Sequence, residues 1–410
     1  MDGDPAVESA LDSFSLTFPL PYRVAFIIIL AIWAWGVNLQ CLTICKVDVP
    51  SLIRYPQRRS PTEVAHHLST YRLATVLSGT FAVSICIFWL FSHHDPELVV
   101  YYDWMPMLYL LFLVASFFTP LKNLSHSGRT RFLHTLRRVS LGGIAESKDG
   151  KFGDIILADV LTSYAKILAD LFITLCMFFF DGAEGSATAR PDRGCGGQVL
   201  VPLVMAVPSA IRLRQCLIEY GRAQRSRSVR DGWGGQHLAN AAKYASAFPV
   251  IILSALQRSS DGIVGGEGVA LYRAWVVAVL VNSLYSFYWD VAKDWDLTLL
   301  SSTLERENPS HPYGLRQIMV FRPAMIYYIA IGMDLALRCT WSLKLSPHLD
   351  RMADWEGGIF TLQFLEVFRR WVWIFFRVEA EWIRGQSSGL ADDDILLGDF
   401  SGADNDDEEF

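Results

Sequence analysis

Apolar runs long enough to cross a bilayer recur along this chain, and those of its second half carry ionisable side chains within them or at their ends. The stretch LVNSLYSFYWDVAKDWDLTLL, residues 280–300, shows the conflict: it closes an aromatic-rich apolar run and then delivers Asp290, Lys293, Asp294 and Asp296. Backbone in hydrocarbon must satisfy its own hydrogen bonds, so runs of this kind fold as helices. A spanning helix needs roughly 20 mainly apolar residues. Nine candidates meet that pattern: 24–45, 71–91, 104–121, 155–180, 199–220, 239–256, 269–289, 320–343 and 359–376. The chain therefore reads as an all-α, polytopic membrane protein with nine to ten transmembrane helices. Its composition agrees, because only 19% of residues are charged where soluble domains run near a quarter.

Lysine and arginine orient the spans, since short cytosolic loops carry them in excess. The loops KVDVPSLIRYPQRRS, KNLSHSGRTRFLHTLRRVS and YGRAQRSRSVRDG are basic, whereas SHHDPELVVYYDW has neither residue. Alternation over nine spans puts the N-terminus outside or in a lumen and the C-terminus in the cytosol. The segment 129–141 is either an interfacial amphipathic helix or a tenth membrane-entering one, which would reverse the N-terminal side. The acidic N-terminus lacks a basic region before its first apolar run, so that run is expected to stay as an anchor. The net charge of −6 reflects the acid-rich end, LADDDILLGDFSGADNDDEEF, more than the membrane part. From residue 385 the composition reads as disordered. Six of the seven cysteines lie in or beside apolar stretches and Cys195 stands in a Gly-rich loop, so no disulfide framework is expected. The Asn123-Leu124-Ser125 sequon falls on the expected cytosolic side and reads as an unused match.

A charge at the bilayer centre costs about 2.5–3.5 kcal/mol on insertion scales. Yet the fourth candidate span carries Asp154, Asp159, Lys166 and Asp170, the fifth Arg212 and Arg214, and the sixth Lys243 and Tyr244 ahead of Pro249. Asp334 and Arg338 share a helix face at a spacing of four, with Trp341 three residues further, and Glu366 precedes Arg369 and Arg370 by three and four. Singly, these have plain readings: arginines snorkelling from a span end, acids marking a helix leaving the membrane, Asp159 paired with Lys166. The plain reading handles their recurrence over the last six spans poorly, since the first three carry almost none. The recurrence implies an apolar N-terminal flank and a six-helix bundle around a polar path. Converging guanidinium forks suit a tetrahedral oxyanion, while neighbouring carboxylates hold them in place and keep the anion from binding too tightly. A proton-coupled carrier would use the same parts, with Asp as relay.

RAWVVAVLVNSLYSFYWDVAKDWDL, with LANAAKYASAFP upstream and LRCTW and LEVFRRWVWIFFRVEAEW downstream, resembles the EXS domain of eukaryotic phosphate exporters. W-D-x-x-x-D-W and L-E-V-F-R-R-x-x-W are long motifs in the family's order, and the resemblance runs over roughly 152–382. Larger members begin with an inositol-polyphosphate-sensing SPX domain, for which no room precedes the first span here. The chain is similar to the short, SPX-less fungal branch linked to ER-retention defects, Golgi membrane proteins associated with returning lumenal phosphate to the cytosol and with keeping glycosyltransferases in place. The resemblance implies these domains: 1–23 an acidic tail, 24–151 N-terminal transmembrane helices and basic loops, 152–384 the EXS transmembrane domain, 385–410 an acidic tail. It implies a phosphate path contacted by Asp159, Thr162, Arg212, Lys243, Tyr244, Asp290, Arg338, Trp341, Glu366, Arg369 and Arg370. Exporters commonly place Asn where this chain has Thr162, which bears on affinity and gating more than on substrate class. Asp294 and Asp296 are expected to serve as structural partners of Lys293 and basic loop residues.

The function expected is a phosphate transporter or channel of the Golgi membrane, the endoplasmic reticulum and plasma membrane being the other locations. The alternative is a scaffold that retains Golgi enzymes without transport, for which Asp392-Asp393-Asp394-Ile395-Leu396-Leu397 offers an acidic-dileucine adaptor signal. Expected partners are inorganic phosphate, the lipid bilayer and sorting or coat-adaptor proteins, with a homodimer left open and no nucleic acid. No nucleophile constellation, metal cluster or cofactor loop is seen, so neither an enzyme nor a cofactor is expected.

Overall fold

The computed structural model describes residues 11–56, 65–121, 124–146, 149–180, 185–226, 234–259, 266–300, 312–340 and 355–401, the last by backbone alone beyond 386. Among these residues the regular structure is helical with no strand. Its principal helices are α1 (Leu20–Ile44), α2 (His66–Ser92), α3 (Trp104–Phe118), α4 (His126–Arg137), α5 (Lys151–Ser163), α6 (Ala165–Phe180), α7 (Leu200–Ser226), α8 (Gly235–Ala245), α9 (Ala247–Ser259), α10 (Gly266–Trp289), α11 (Met325–Arg338) and α12 (Glu356–Ser401). Among the described residues six helical stretches are long and apolar enough to cross a membrane, or seven if the bent pair α5–α6 is one span. The candidate spans 320–343 and 359–376 do not reach that standard. α11 has 14 residues, and α12 carries too many charges.

Helix α1 packs on α2, α3, α6 and α12, with Tyr22, Ile27, Leu77, Phe88 and Leu113 in its core. The outward side chains are apolar: Val83, Ile87 and Leu90 on α2, Leu108, Leu111 and Phe112 on α3, Val277, Val281 and Leu284 on α10. Charged groups such as Asp159, Asp290, Asp334, Arg212 and Arg369 are buried instead. Apolar outside and ionic inside is the arrangement a lipid solvent selects.

Three breaks shape the bundle. The fourth candidate span, expected as one helix, bends by 63° between α5 and α6, directly after Thr162 and Ser163. The sixth breaks at Ser246, where Pro249 cannot donate to the Ala245 carbonyl; the Ser246 hydroxyl bonds the Lys243 carbonyl at 2.7 Å. The seventh ends in a π-helical turn over Asp290–Asp294, a form of helix frequent at functional sites.

The segment left open between an interfacial helix and a tenth span is α4 with the π-helical turn Arg138–Gly142 that continues it; it is not among the helices long and apolar enough to cross. Its buried Arg129 donates to the carbonyls of Ser116, Thr119, Leu121 and Leu124, closing the C-terminal end of α3. Helix α12 continues through Ser401, past residue 385 where the acidic tail begins. The segment has no proline, and elongating an existing helix avoids the cost of nucleation. Residues 402–410, and Asn123 of the sequon, lie outside the described residues.

The expectation of no disulfide is also corrected: Cys176 on α6 is bonded to Cys195. The loop after α6 folds back over the helix end, turning at Gly196 and Gly197 with φ of 75° and 91°. The spacing of 19 residues carried no sequence signature. Closing such a loop is worth about 3 kcal/mol, so Cys195→Ser is expected to lower the thermal midpoint of the purified protein in lipid nanodiscs. An unchanged midpoint would show that the loop is held by its other contacts.

The ends of the bundle differ. The disulfide loop bonds the segment between α2 and α3 through Thr188 to the Val99 carbonyl at 2.7 Å and Ala187 N–H to Asp103 at 3.2 Å. The start of α1 joins this end through Arg23 and Glu356. At the other end lie the basic segments, with Arg131 on the Ile53 carbonyl, Arg222 on those of Ile144 and Ala145, and Lys151 paired with Glu219. A cavity of about 450 Å³ lined by Ser51, Arg54, Lys151, Glu381 and Trp382 places the later part of α12 there too.

Candidate anion path

Helix α12 supplies one wall of the site. Its turn Glu366–Arg370 faces the bend between α5 and α6, the π-helical turn after α10, and the end of α11. Arg369 reads three carboxylates at once. It donates Nη2 to Glu366 at 2.7 Å, and Nη1 to Asp334 at 2.9 Å and to Asp290 at 3.4 Å. Arg338 closes the same ring through Asp334 at 3.0 Å and through Asp290. Lys243 bonds Asp290 at 2.9 Å and Asp294 at 3.3 Å. Asp290 is fully buried and holds three cations from α8, α11 and α12, so this acid at the end of an apolar run is the junction of the bundle.

Asp159 on α5 anchors a second arm. Arg212 donates Nε to it at 2.8 Å, and the Tyr244 hydroxyl donates to the same oxygen. Arg212 also stacks over the Tyr244 ring at 4.8 Å and bonds Gln215 at 2.7 Å. Asp159 thus meets Arg212 and Tyr244 rather than Lys166 as its described partners. Thr162 donates its hydroxyl to the Asp159 carbonyl at 2.7 Å.

Arg370 differs from every other cation in the group. Its Nε donates to the Ser163 hydroxyl at 2.9 Å and its Nη2 reaches Thr162 at 3.4 Å. Its guanidinium lies over the Trp373 ring at 4.5 Å. Nη1 is buried without a hydrogen-bond partner, and among the described residues no carboxylate lies within ion-pair distance of Arg370. Ser163 donates its own hydroxyl to Glu366 at 2.7 Å, which links the two α12 residues through a hydroxyl. The Glu366 side chain keeps 38% of its surface accessible, so this corner of the network is its open side. Arg212, Lys243, Arg338, Arg369 and Arg370 face Asp159, Asp290, Asp294, Asp334 and Glu366, five cations to five carboxylates. A buried guanidinium with an open donor and two hydroxyls beside it can accept an oxyanion without breaking an ion pair.

Asp159, Thr162, Arg212, Lys243, Tyr244, Asp290, Arg338, Glu366, Arg369 and Arg370 are therefore brought into one continuous network, while Trp341 lies outside the described residues. Asp294 departs from the sequence expectation. Its partners are Lys243 and, at 3.7 Å, Arg377, because the π-helical turn carries it back under Asp290. Asp296 behaves as expected of a surface acid, 3.8 Å from Arg384 and half exposed. Sequence reasoning missed Ser163 and did not include Asp334 or Gln215 in the path. The pairing of Asp334 with Arg338 at spacing four was the available signal; for Ser163 there was only its neighbourhood to Thr162.

Residues 18–383 match the profile of the EXS family. The chain belongs to the EXS family. The match takes in the N-terminal helices α1–α4 as well as the bundle. The chain is 30% identical over 375 residues to Protein ERD1 homolog 1 of Schizosaccharomyces pombe, covering 90% of this chain and 92% of that protein. It is 30% identical over 325 residues to Protein ERD1 of Kluyveromyces lactis, 77% of this chain and 76% of the relative. Solute carrier family 53 member 1 of Mus spretus is 27% identical over 370 residues, which are 88% of this chain and 49% of that longer protein. This EXS chain is thus a multi-pass membrane protein.

Proposed function

We propose that this EXS protein is a phosphate transporter or channel of the Golgi membrane that returns lumenal phosphate to the cytosol. The observation that carries the reading is Arg370: buried, held by Ser163, Thr162 and Trp373, and with a guanidinium nitrogen left open. Phosphate placed there would receive the planar fork that a lysine cannot reproduce. The hydroxyls of Ser163 and Thr162 tolerate an acceptor oxygen, and Glu366 opposes tight retention of the anion. Broken helices beside the site supply the irregular backbone that transport paths use at membrane depth.

Compartment and orientation follow from the same reading. Disulfides persist in oxidising compartments, so the Cys176–Cys195 end is the lumenal one, and the basic end is cytosolic in keeping with the lysine and arginine excess. The C-terminus then faces the cytosol. Glycosylation supplies the need: nucleotide-sugar use leaves nucleoside diphosphates in the lumen, their hydrolysis releases phosphate, and the phosphate must leave. Retention of glycosyltransferases and ER lumenal proteins follows as a consequence of that clearance.

Asp290 and Asp296 test the placement of the path. Asp290→Asn removes the charge that holds Lys243, Arg338 and Arg369, and phosphate flux in proteoliposomes is expected to fall at least tenfold per folded molecule. Asp296→Asn should leave flux within about twofold, since exposed pairs such as Asp296–Arg384 contribute little. Equal losses, or the larger loss at Asp296, would contradict the placement.

A further inference from the structure

A second charged group lies on α12 about four turns from Arg370, at the disulfide end. Glu356, in the first turn of the helix, accepts Arg23 Nη1 at 2.7 Å on one oxygen and Arg193 Nη1 at 2.7 Å on the other. The two arginines are not equivalent. Arg23 is buried and fully committed, giving Nε to the Phe18 carbonyl and Nη2 to the Ser15 hydroxyl, both at 2.7 Å, with its guanidinium 4.5 Å from the Phe14 ring centre. Arg193 stands two residues before Cys195 in the loop closed by the disulfide, keeps 30% of its side chain accessible, and has a buried Nη2 without a hydrogen-bond partner among the described residues. Deeper in, Gln363 bonds the buried Asp170 at 2.6 Å. Glu356, Gln363 and Arg370 are seven residues apart in turn, two helical turns each, so they lie along one face of α12 over about 21 Å.

We propose that Arg193 is the capture residue at this mouth of the path, and that Glu356, fixed by Arg23, is the resident carboxylate that occupies the Arg193 fork until phosphate displaces it. The inference rests on the phosphate reading above and adds a station and a side to it. The chemistry is a like-for-like exchange. A carboxylate and a phosphate present similar oxygen pairs to a guanidinium, so an arriving anion can replace Glu356 at Nη1 and bring a second oxygen to the buried, unpartnered Nη2 beside it. Arg23, bonded at all three nitrogens, holds Glu356 in place during the exchange. The released anion then has a row of polar groups on α12 leading to Arg370.

Flux should be measured in proteoliposomes with phosphate supplied to one face at a time, the orientation of the protein being scored by protease access to a C-terminal tag. With phosphate on the disulfide side, Arg193→Gln is expected to raise the half-saturating concentration about tenfold, the loss of one charge-assisted contact, with the maximal rate retained. Arg193→Lys should recover part of that shift. Glu356→Gln removes the competing charge and should lower the half-saturating concentration several-fold from the same side. No half-saturation should change when phosphate is supplied to the basic end. If the variants lose maximal rate and thermal stability together with half-saturation unchanged, or if the shift appears equally from both sides, the triad is a structural clamp and the proposal is overturned. Wild-type protein that carries no phosphate above empty vesicles overturns both this inference and the reading beneath it. Wild-type flux that is indifferent to Arg193 and Glu356 overturns this inference alone.

Discussion

Arg369→Ala is expected to cost the fold about 3–5 kcal/mol, whereas its neighbour Arg370→Ala leaves a folded protein that no longer passes phosphate. The contrast follows from what each side chain holds. Arg369 bonds Glu366, Asp334 and Asp290, and removing one partner of a buried ion pair strands the other charge at about that cost. Arg370 bonds only hydroxyls and an aromatic face among the described residues. Its loss removes a cation–π contact of about 1–2 kcal/mol and relieves a donor that had no partner. Thermal unfolding in nanodiscs should place Arg370→Ala near wild type and Arg369→Ala far below it. The reverse order, or equal losses, would mean that the two arginines do the same structural work and that the open guanidinium is not the site.

The second large effect joins transport to enzyme retention. Arg338 lies at the end of α11, bonded to Asp334 and Asp290 inside the bundle, where a cytosolic adaptor cannot reach it. Arg338→Ala is therefore expected to abolish flux, mislocalise Golgi glycosyltransferases and raise lumenal phosphate together. A retention scaffold predicts the opposite pattern: truncation after Gly385 removes the dileucine run and abolishes retention, while Arg338→Ala leaves it intact. Both variants should be compared at matched expression, with enzyme position scored by microscopy and phosphate by flux from Golgi vesicles. Retention preserved in a variant without measurable flux would break the causal link.

The charged network was legible because its cost is local. A carboxylate or guanidinium within an apolar run demands a partner wherever the chain puts it, and helical spacing announced Asp334–Arg338 and Glu366–Arg369 before any tertiary contact was known. Pairings across the bundle were not legible. Asp159 finds Arg212 at a separation of 53 residues and Arg23 finds Glu356 at 333, distances over which no periodicity speaks. The disulfide was hidden for a related reason: Cys176 sits in an apolar helix where a cysteine packs as a small hydrophobe, and only the fold of the following loop brings Cys195 to it. The breaks at Tyr164 and Ser246 were half visible. Pro249 marked the second, whereas the 63° bend of the first has no proline or glycine beside it. Spans 320–343 and 359–376 are weak by hydropathy because of the charges that α11 and α12 bury against each other.

The most direct test of the central claim is radiolabelled phosphate uptake into proteoliposomes holding purified wild-type protein, Arg370→Lys or Arg370→Ala at equal folded amounts. The account predicts saturable uptake by wild type, a small fraction of it with lysine, which keeps the charge but not the fork, and background with alanine. Background uptake by wild type, or uptake by the alanine variant equal to wild type, would contradict it.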